Sequence, residues 1–275
     1  MTGQAFHSAH VEGEPRLAYD GVGDGPLLVF LHGIGGHRGN WRRQLDHLGG
    51  KCLAVAWDAR GYGDSDDYAG PLDFADFSSD LARLLDHLQA DRAHLCGLSM
   101  GGRIALDFHD RMPSRVASLT LADTFPGFDE SFTTEGRERF IRERREPLVN
   151  GGKEPADIAP LVAPTLVSAT ADSAVIQELI DSMGLLHKES YIKTIESMTR
   201  YQRVTDVSTI KVPVQIIVGA EDKLTPPSIS RTMHARISDS RLSVIEQAGH
   251  LSNLEQPRVF NDCLTSFLGE IGAIS

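Results

Sequence analysis

Leu95-Cys96-Gly97-Leu98-Ser99-Met100-Gly101-Gly102 sets a serine in a G-x-S-x-G frame between a short apolar strand and the start of a helical pattern. A nucleophile on so tight a strand-to-helix turn adopts a strained backbone conformation, and flanking positions must be small where side chains would collide. Gly97 and Gly101 meet that need. The turn lifts the Ser99 hydroxyl above the sheet edge, and the Met100 N–H, at the positive end of the helix, can face a developing oxyanion. A pentapeptide of common residues also arises by chance, so the rest of the chain must supply the partners that serine chemistry requires.

Outward from this turn, apolar runs of strand length alternate with segments of helical period, the pattern of a mostly parallel sheet covered by helices on both faces. Phe6 to Val11 and Arg16 to Tyr19 read as an opening hairpin, with a Gly-rich turn from Gly21 to Pro26. Leu27 to Leu31, Cys52 to Trp57, Ala93 to Cys96, Val116 to Ala122, Val214 to Val218 and Leu242 to Ile245 read as strands. Phe74, Phe77, Leu81, Leu84, Leu85 and Leu88 recur at spacings of three and four and mark the core face of a helix. A last helix is expected from about Gln256 to Leu268.

The alternation stops at about Phe125 and resumes at about Val212. Between them lie a charge-dense segment from Glu135 to Glu146, a Gly/Pro-punctuated stretch from Asn150 to Pro164, and two amphipathic helical patterns. The first carries Val175, Ile176, Leu179, Ile180 and Met183 on one face with Gly184 as its stop; the second carries Tyr191, Ile192, Ile195 and Met198. An insertion of this size between two sheet strands reads as a helical cap over the strand ends. The expected division is therefore residues 1–125 as the first part of the core, 126–211 as the cap, and 212–275 as the second part.

Composition narrows the partners. The 275 residues hold 27 Lys and Arg against 38 Asp and Glu, a formal net charge of −11 that opposes binding to nucleic acid or an anionic membrane. A small-molecule partner is the better expectation, and nothing in the composition fixes the oligomeric state. Cys52, Cys96 and Cys263 are odd in number and widely spaced, which reads as reduced packing residues. No run approaches 18 apolar residues, and Met1 to His7 lacks a basic region followed by an apolar one, so the expected location is the cytoplasm.

Serine is a poor nucleophile at neutral pH, so a histidine must accept its proton and an acid must hold that histidine in the right tautomer. Parallel strands place all their carboxyl ends at one sheet edge, and the partners of Ser99 should follow other strands there. His250, in Gln247-Ala248-Gly249-His250, follows the last expected strand; Asp222, in Gly219-Ala220-Glu221-Asp222-Lys223, follows Val214 to Val218. Asp123, after the strand Val116 to Ala122, is the rival acid at the same edge.

With these residues in place the sequence resembles the α/β-hydrolase superfamily over nearly its whole length. The similarity rests on His32-Gly33-Ile34-Gly35-Gly36, Asp58-Ala59-Arg60-Gly61-Tyr62-Gly63-Asp64-Ser65, the Ser99 elbow, Gly219-Ala220-Glu221-Asp222 and Ala248-Gly249-His250, in that order. It implies an eight-stranded-type, mostly parallel sheet with a helical cap inserted after the sixth strand, and a triad in the chain order Ser99, Asp222, His250. It also implies that the N–H groups of Ile34 and Met100 receive the oxyanion, and that Arg60 and Asp64 order a loop. The elbow from Ala93 to Gly102 is most similar to that of the 3-oxoadipate enol-lactonase group and related small esterases, which implies an ester or lactone substrate.

Meta-cleavage-product hydrolases, which cut a C–C bond with a similar triad, usually carry Asn before the serine and Trp after the histidine; this chain has Leu98 and Leu251. A ligand-binding receptor with a slow or vestigial triad is the alternative of a different class. No cofactor or metal is implied, since His32, His37 and Asp24 match no common zinc spacing. His32, Gly33, Phe125, Phe128 and Leu251 are the expected substrate contacts, with Phe132 near the cap entrance. Arg137, Arg139, Arg142, Arg144 and Arg145 alternate with Glu135, Glu138, Glu143 and Glu146, which reads as a solvated helix with pairs such as Glu138 with Arg142 rather than as a carboxylate-binding group.

Overall fold

The computed structural model describes residues 6–127, 134–201 and 203–274. Eight strands form one sheet in the order β1-β2-β4-β3-β5-β6-β7-β8. They are β1 (His7–Val11), β2 (Leu17–Val22), β3 (Leu27–Leu31), β4 (Leu53–Trp57), β5 (Ala93–Leu98), β6 (Val116–Ala122), β7 (Val214–Gly219) and β8 (Ser240–Ile245). The β1–β2 and β2–β4 pairings are antiparallel, and every pairing from β4 to β8 is parallel. The helices are α1 (Arg42–Leu48), α2 (Ala75–His87), α3 (Met100–Arg111), α4 (Thr134–Arg144), α5 (Glu146–Val149), α6 (Pro155–Val162), α7 (Ser173–Gly184), α8 (Lys188–Arg200), α9 (Pro227–Arg236), α10 (Ser252–Glu255) and α11 (Pro257–Glu270).

Strand alternation sends residues to two cores. Val29 and Leu31 of β3 join Phe77, Leu81, Leu84 and Leu85 of α2 on one face, whereas Leu28 and Phe30 join Trp41, Leu45, Phe260 and Leu264 on the other. The four α2 side chains are fully buried, a contribution of about 1.5–3 kcal/mol each before conformational entropy is subtracted. Helices α4 to α8 lie between β6 and β7 in the chain and add Phe140, Leu148, Ile158, Tyr191 and Ile195 to the first core.

Three elements differ from the sequence reading. The strand expected to end at Tyr19 continues to Val22, so Gly21 lies in β2 opposite His7; a Cβ there would fall 2.6 Å from the His7 ring. The stretch from Asn150 to Pro164 contains α6, which starts with Pro155 at its first turn and a capping box between Glu154 and Asp157. Near the C-terminus a short α10 precedes α11. Among the described residues no helix is long and apolar enough to cross a membrane. Cys52 and Cys96 are buried and Cys263 is half-buried; burial pushes the Cys52 thiol up to about 11.

Candidate active site

Leu98 ends β5 and Met100 begins α3, leaving Ser99 alone to turn the chain, with φ 54° and ψ −114°. That left-handed conformation is costly for serine and persists only where its surroundings hold it. The backbone closes on itself here. A Cβ on Gly97 would lie 2.3 Å from the Gly101 carbonyl carbon, and one on Gly101 would lie 2.0 Å from the Leu31 oxygen. The Ser99 N–H donates to Ala122 O at 2.9 Å, and the Thr124 hydroxyl donates to Ser99 O at 2.6 Å, so the neighbouring strand end fixes the turn.

His250 Nε2 lies 2.9 Å from Ser99 Oγ, and His250 Nδ1 lies 2.8 Å from Asp222 Oδ2. This line fits an imidazole whose Nδ1–H donates to the carboxylate while Nε2 accepts from the serine hydroxyl. Asp222 also accepts from Leu224 N–H, Thr225 N–H and the Thr225 hydroxyl at 2.8, 2.9 and 2.7 Å. Burial alone would raise the Asp222 carboxyl, but the His250 charge and these bonds outweigh it and hold it below its ordinary range. Burial opposes protonation of His250; Asp222 overcomes it and raises the imidazole above its ordinary 6.5.

The rival acid Asp123 is also buried at this edge, with φ 45°. Its carboxylate accepts from Gly219 N–H at 2.8 Å and from the Ser252 hydroxyl, and it makes no hydrogen bond to His250. Burial and the neighbouring Asp222 push Asp123 up to about 8.

The loop after β3 faces the elbow, since a Cβ on Gly33 would lie 3.4 Å from Ser99 Cβ. Within it Gly36 N–H donates to Gly33 O at 3.0 Å, a tight turn that carries Ile34. His32 Nε2 accepts from Ala59 N–H at 3.1 Å, which leaves Nδ1 protonated and donating to Gly33 O at 2.8 Å. Burial pushes His32 down to about 4, so it is a neutral brace for this loop at physiological pH. Arg38 binds Asp20 at 3.1 Å and also pairs with the fully buried Asp58 and with Asp64, tying the loops after β3 and β4 together. Arg60 pairs with Asp80 at 2.6 Å and Asp76 at 3.3 Å.

A cavity of about 660 Å³, counting its open mouth, lies over Ser99 and His250. His32, Gly33, Ile34 and Leu251 line it; Leu98, Leu166, Leu179 and Met183 give it an apolar wall. Met100 is fully buried, and its N–H, the first of α3, has no acceptor within the helix. Phe125 is not part of this wall: it is buried with the Arg103 guanidinium 5.1 Å from its ring centre. Phe128 and Phe132 lie outside the described residues.

The alpha/beta hydrolase fold model matches residues 26–257. The chain belongs to the alpha/beta hydrolase fold family. It is 28% identical over 253 residues to 3-oxoadipate enol-lactonase 2 of Acinetobacter baylyi, with 90% of each chain covered. It is 27% identical over 262 residues to a putative carbamate hydrolase of Azorhizobium caulinodans, covering 94% of this chain and 97% of the relative. Among solved structures, an esterase from Thermogutta terrifontis superposes with a TM-score of 0.87 at 26% identity, over 96% of this chain and 99% of that one. This α/β-hydrolase is thus an enzyme of a family with esterase and lactonase members.

Two groups of residues around the hydrolase site escape the sequence reading. One is Arg144. The charge-dense helix was expected to be solvated throughout, yet Arg144 is 6% exposed and lines the cavity beside Phe140 and Tyr191. Phe140, Arg144 and Leu148 recur at spacings of four and are all buried, a stripe that was readable but was hidden by the surrounding charges. The expected Glu138–Arg142 pair is not among the ion pairs of the described residues; Arg145 instead reaches Glu196 at 2.7 Å. The other group ties the His250 loop to the inserted segment. His250 N–H donates to Leu166 O at 2.7 Å, and Glu255 accepts from both Ser168 N–H and Gly249 N–H at 2.8 Å.

Proposed function

We propose that this α/β-hydrolase cleaves a small carboxylic ester or lactone by way of an acyl-enzyme, with Ser99 as nucleophile, His250 as general base and Asp222 as the acid that orients it. The observation that carries this reading is the hydrogen-bonded line from Ser99 Oγ through His250 to Asp222, opening into a largely apolar cavity. Ser99 Oγ attacks the carbonyl carbon as His250 Nε2 takes its proton, and the resulting imidazolium is stabilised by Asp222. The N–H groups of Ile34 and Met100 receive the oxyanion, each such donor being worth about 10²- to 10³-fold in rate. The imidazolium protonates the departing alkoxide oxygen. Water, deprotonated by His250, then attacks the acyl carbon and frees the acid and Ser99; in a lactone the alcohol stays attached to the released acid.

In this reading residues 126–211 act as the cap that shapes the acyl or alcohol pocket, and no cofactor takes part. The testing experiment compares wild type with Ser99→Ala on p-nitrophenyl esters of increasing acyl length, lactones, an enol-lactone and a meta-cleavage dienoate. Turnover of esters or lactones, with a loss of about 10⁴-fold or more in the alanine variant, upholds the proposal. Cleavage of the dienoate alone would assign C–C bond hydrolysis in its place, and stoichiometric labelling without turnover would assign a receptor.

A further inference from the structure

Arg144 is a buried cation with little to neutralise it. Among the described residues its closest carboxylate is the exposed Glu143 at 3.8 Å, and its guanidinium sits 4.4 Å from the centre of the Phe140 ring. Among the described residues its side chain makes no hydrogen bond. Five N–H donors in a fixed fork are thus held at the wall of the cavity over Ser99. A buried charge is costly unless it is paired, and burial accordingly lowers the Arg144 pKa from its ordinary value.

Three further observations point to what pairs with it. Tyr191 lines the same cavity, its hydroxyl is likewise without a hydrogen-bond partner among the described residues, and burial holds it neutral with a pKa of about 12. The phenol is therefore a second donor next to the guanidinium. The field of Arg144 reaches both Tyr191 and His250, opposing protonation of the histidine, so the cation stands within electrostatic range of the reacting centre. Outside, an open recess shares Phe140, Arg144, Leu166 and Leu224 with the cavity and adds Arg139 and Lys223 against Glu143. A protein of net charge −11 thus presents basic side chains along one approach to its site.

We propose that Arg144, assisted by the Tyr191 hydroxyl, binds a carboxylate on the substrate, so that the preferred ester or lactone carries a carboxylate remote from the bond that is broken. The inference rests on the acyl-transfer reading for the bond cleaved, and on the cavity alone for the charge recognised. A planar carboxylate matches the guanidinium fork in two parallel hydrogen bonds, and each charge-assisted bond formed away from bulk water is worth roughly 10- to 100-fold in affinity.

The test uses the full-length enzyme with matched acyl chains: p-nitrophenyl pentanoate against mono-p-nitrophenyl glutarate, and p-nitrophenyl hexanoate against the mono-adipate ester. The readout is the ratio of kcat/KM for the anionic over the neutral ester, which normalises out any loss of folded protein. The ratio should fall about 10- to 100-fold in Arg144→Gln, with a smaller fall in Arg144→Lys, which keeps the charge but loses the fork. An unmoved ratio, whatever the absolute rates, overturns the proposal. Calorimetric binding of glutarate to Ser99→Ala, with and without Arg144→Gln, decides the point independently of turnover. Weakening by tenfold or more upholds the anion site even if no ester is hydrolysed and the acyl-transfer reading fails; equal binding in the two proteins, or none in either, overturns it.

Discussion

Asp222→Asn is the sharpest single-atom test of the proposed triad, because the structure dictates which way the new amide must point. Oδ1 of Asp222 accepts two backbone donors, Leu224 N–H at 2.8 Å and Thr225 N–H at 2.9 Å, which cannot turn away. Oδ2 accepts from the Thr225 hydroxyl at 2.7 Å and faces His250 Nδ1 at 2.8 Å. Asparagine keeps one acceptor oxygen, and the two fixed N–H groups claim it. Its NH2 therefore falls at the Oδ2 position, where Thr225 can rotate to accept but His250 Nδ1 can accept only by giving up its proton. The proton then resides on Nε2, and that nitrogen can no longer take one from Ser99. The expected loss in kcat near neutral pH is about 10⁴-fold, equivalent to about 5.5 kcal/mol at 1.36 kcal/mol per decade.

The pH profile adds a second signature to the same variant. In wild type, Asp222 raises His250 above 6.5, so kcat/KM for a neutral ester should fall on the acid side with a midpoint above pH 6.5, as the base becomes protonated. Without the carboxylate, burial dominates and the residual acid limb should move below pH 6.5. Stopped or continuous p-nitrophenolate release between pH 5 and 9 measures both effects. Activity within tenfold of wild type at pH 7.5 would refute the assignment of Asp222. Asp123→Asn is the control: its oxygens serve Gly219 N–H and the rotatable Ser252 hydroxyl, so it should cost less than about tenfold.

Two stability predictions follow from the same geometry. Gly101→Ala drives a Cβ into the Leu31 and His32 backbone at 2.0 to 2.9 Å, and should destabilise by about 2–3 kcal/mol or more, a fall of several degrees in Tm; a change under about 2 °C would show that α3 can shift at no cost. Arg38→Ala leaves Asp58 fully buried without its cation and should cost about 3–5 kcal/mol in chemical denaturation at pH 7, where a loss below about 1 kcal/mol would mean that the cluster is solvated.

Much of the candidate site was legible in the sequence for a reason that lies in the architecture. Parallel strands deliver their carboxyl ends to one edge, so Ser99, Asp123, Asp222 and His250 were all placed there by strand order alone. Strand order alone leaves Asp123 and Asp222 open as partners of His250, because both follow adjacent strands, β6 and β7; the chain order that the resemblance implies favours Asp222, and it is the Asp222 Oδ2 that lies 2.8 Å from His250 Nδ1. The glycines of the elbow were legible because steric exclusion is local. Phe125 and Arg144 were not, because their surroundings are set by packing between distant elements. Phe125 follows β6 closely enough to suggest the cavity but turns to the Arg103 guanidinium, and Arg144 sits among charges that favour solvent yet belongs to the face that α4 presents to α8. A charged residue on a buried stripe is the one signal that period analysis discards, because the charge lowers the score of the very face that the Phe140 and Leu148 side chains define.

The inserted segment is also more than a wall. Its middle loop, from Leu166 to Ala169 between α6 and α7, is bonded to the loops that carry the proposed base and acid: Leu166 O accepts from His250 N–H, Glu255 joins Ser168 to Gly249, and Glu221 accepts from Ala169 N–H at 3.0 Å. Gly249 has no room for a side chain against this segment, where a Cβ would meet the Val167 carbonyl carbon at 2.6 Å. Any outward movement of residues 166–169 must break these hydrogen bonds and loosen the backbone that aims His250 at Ser99. The same contacts that enclose the cavity therefore set the imidazole, which couples the shape of the pocket to the position of the base through the backbone rather than through the substrate.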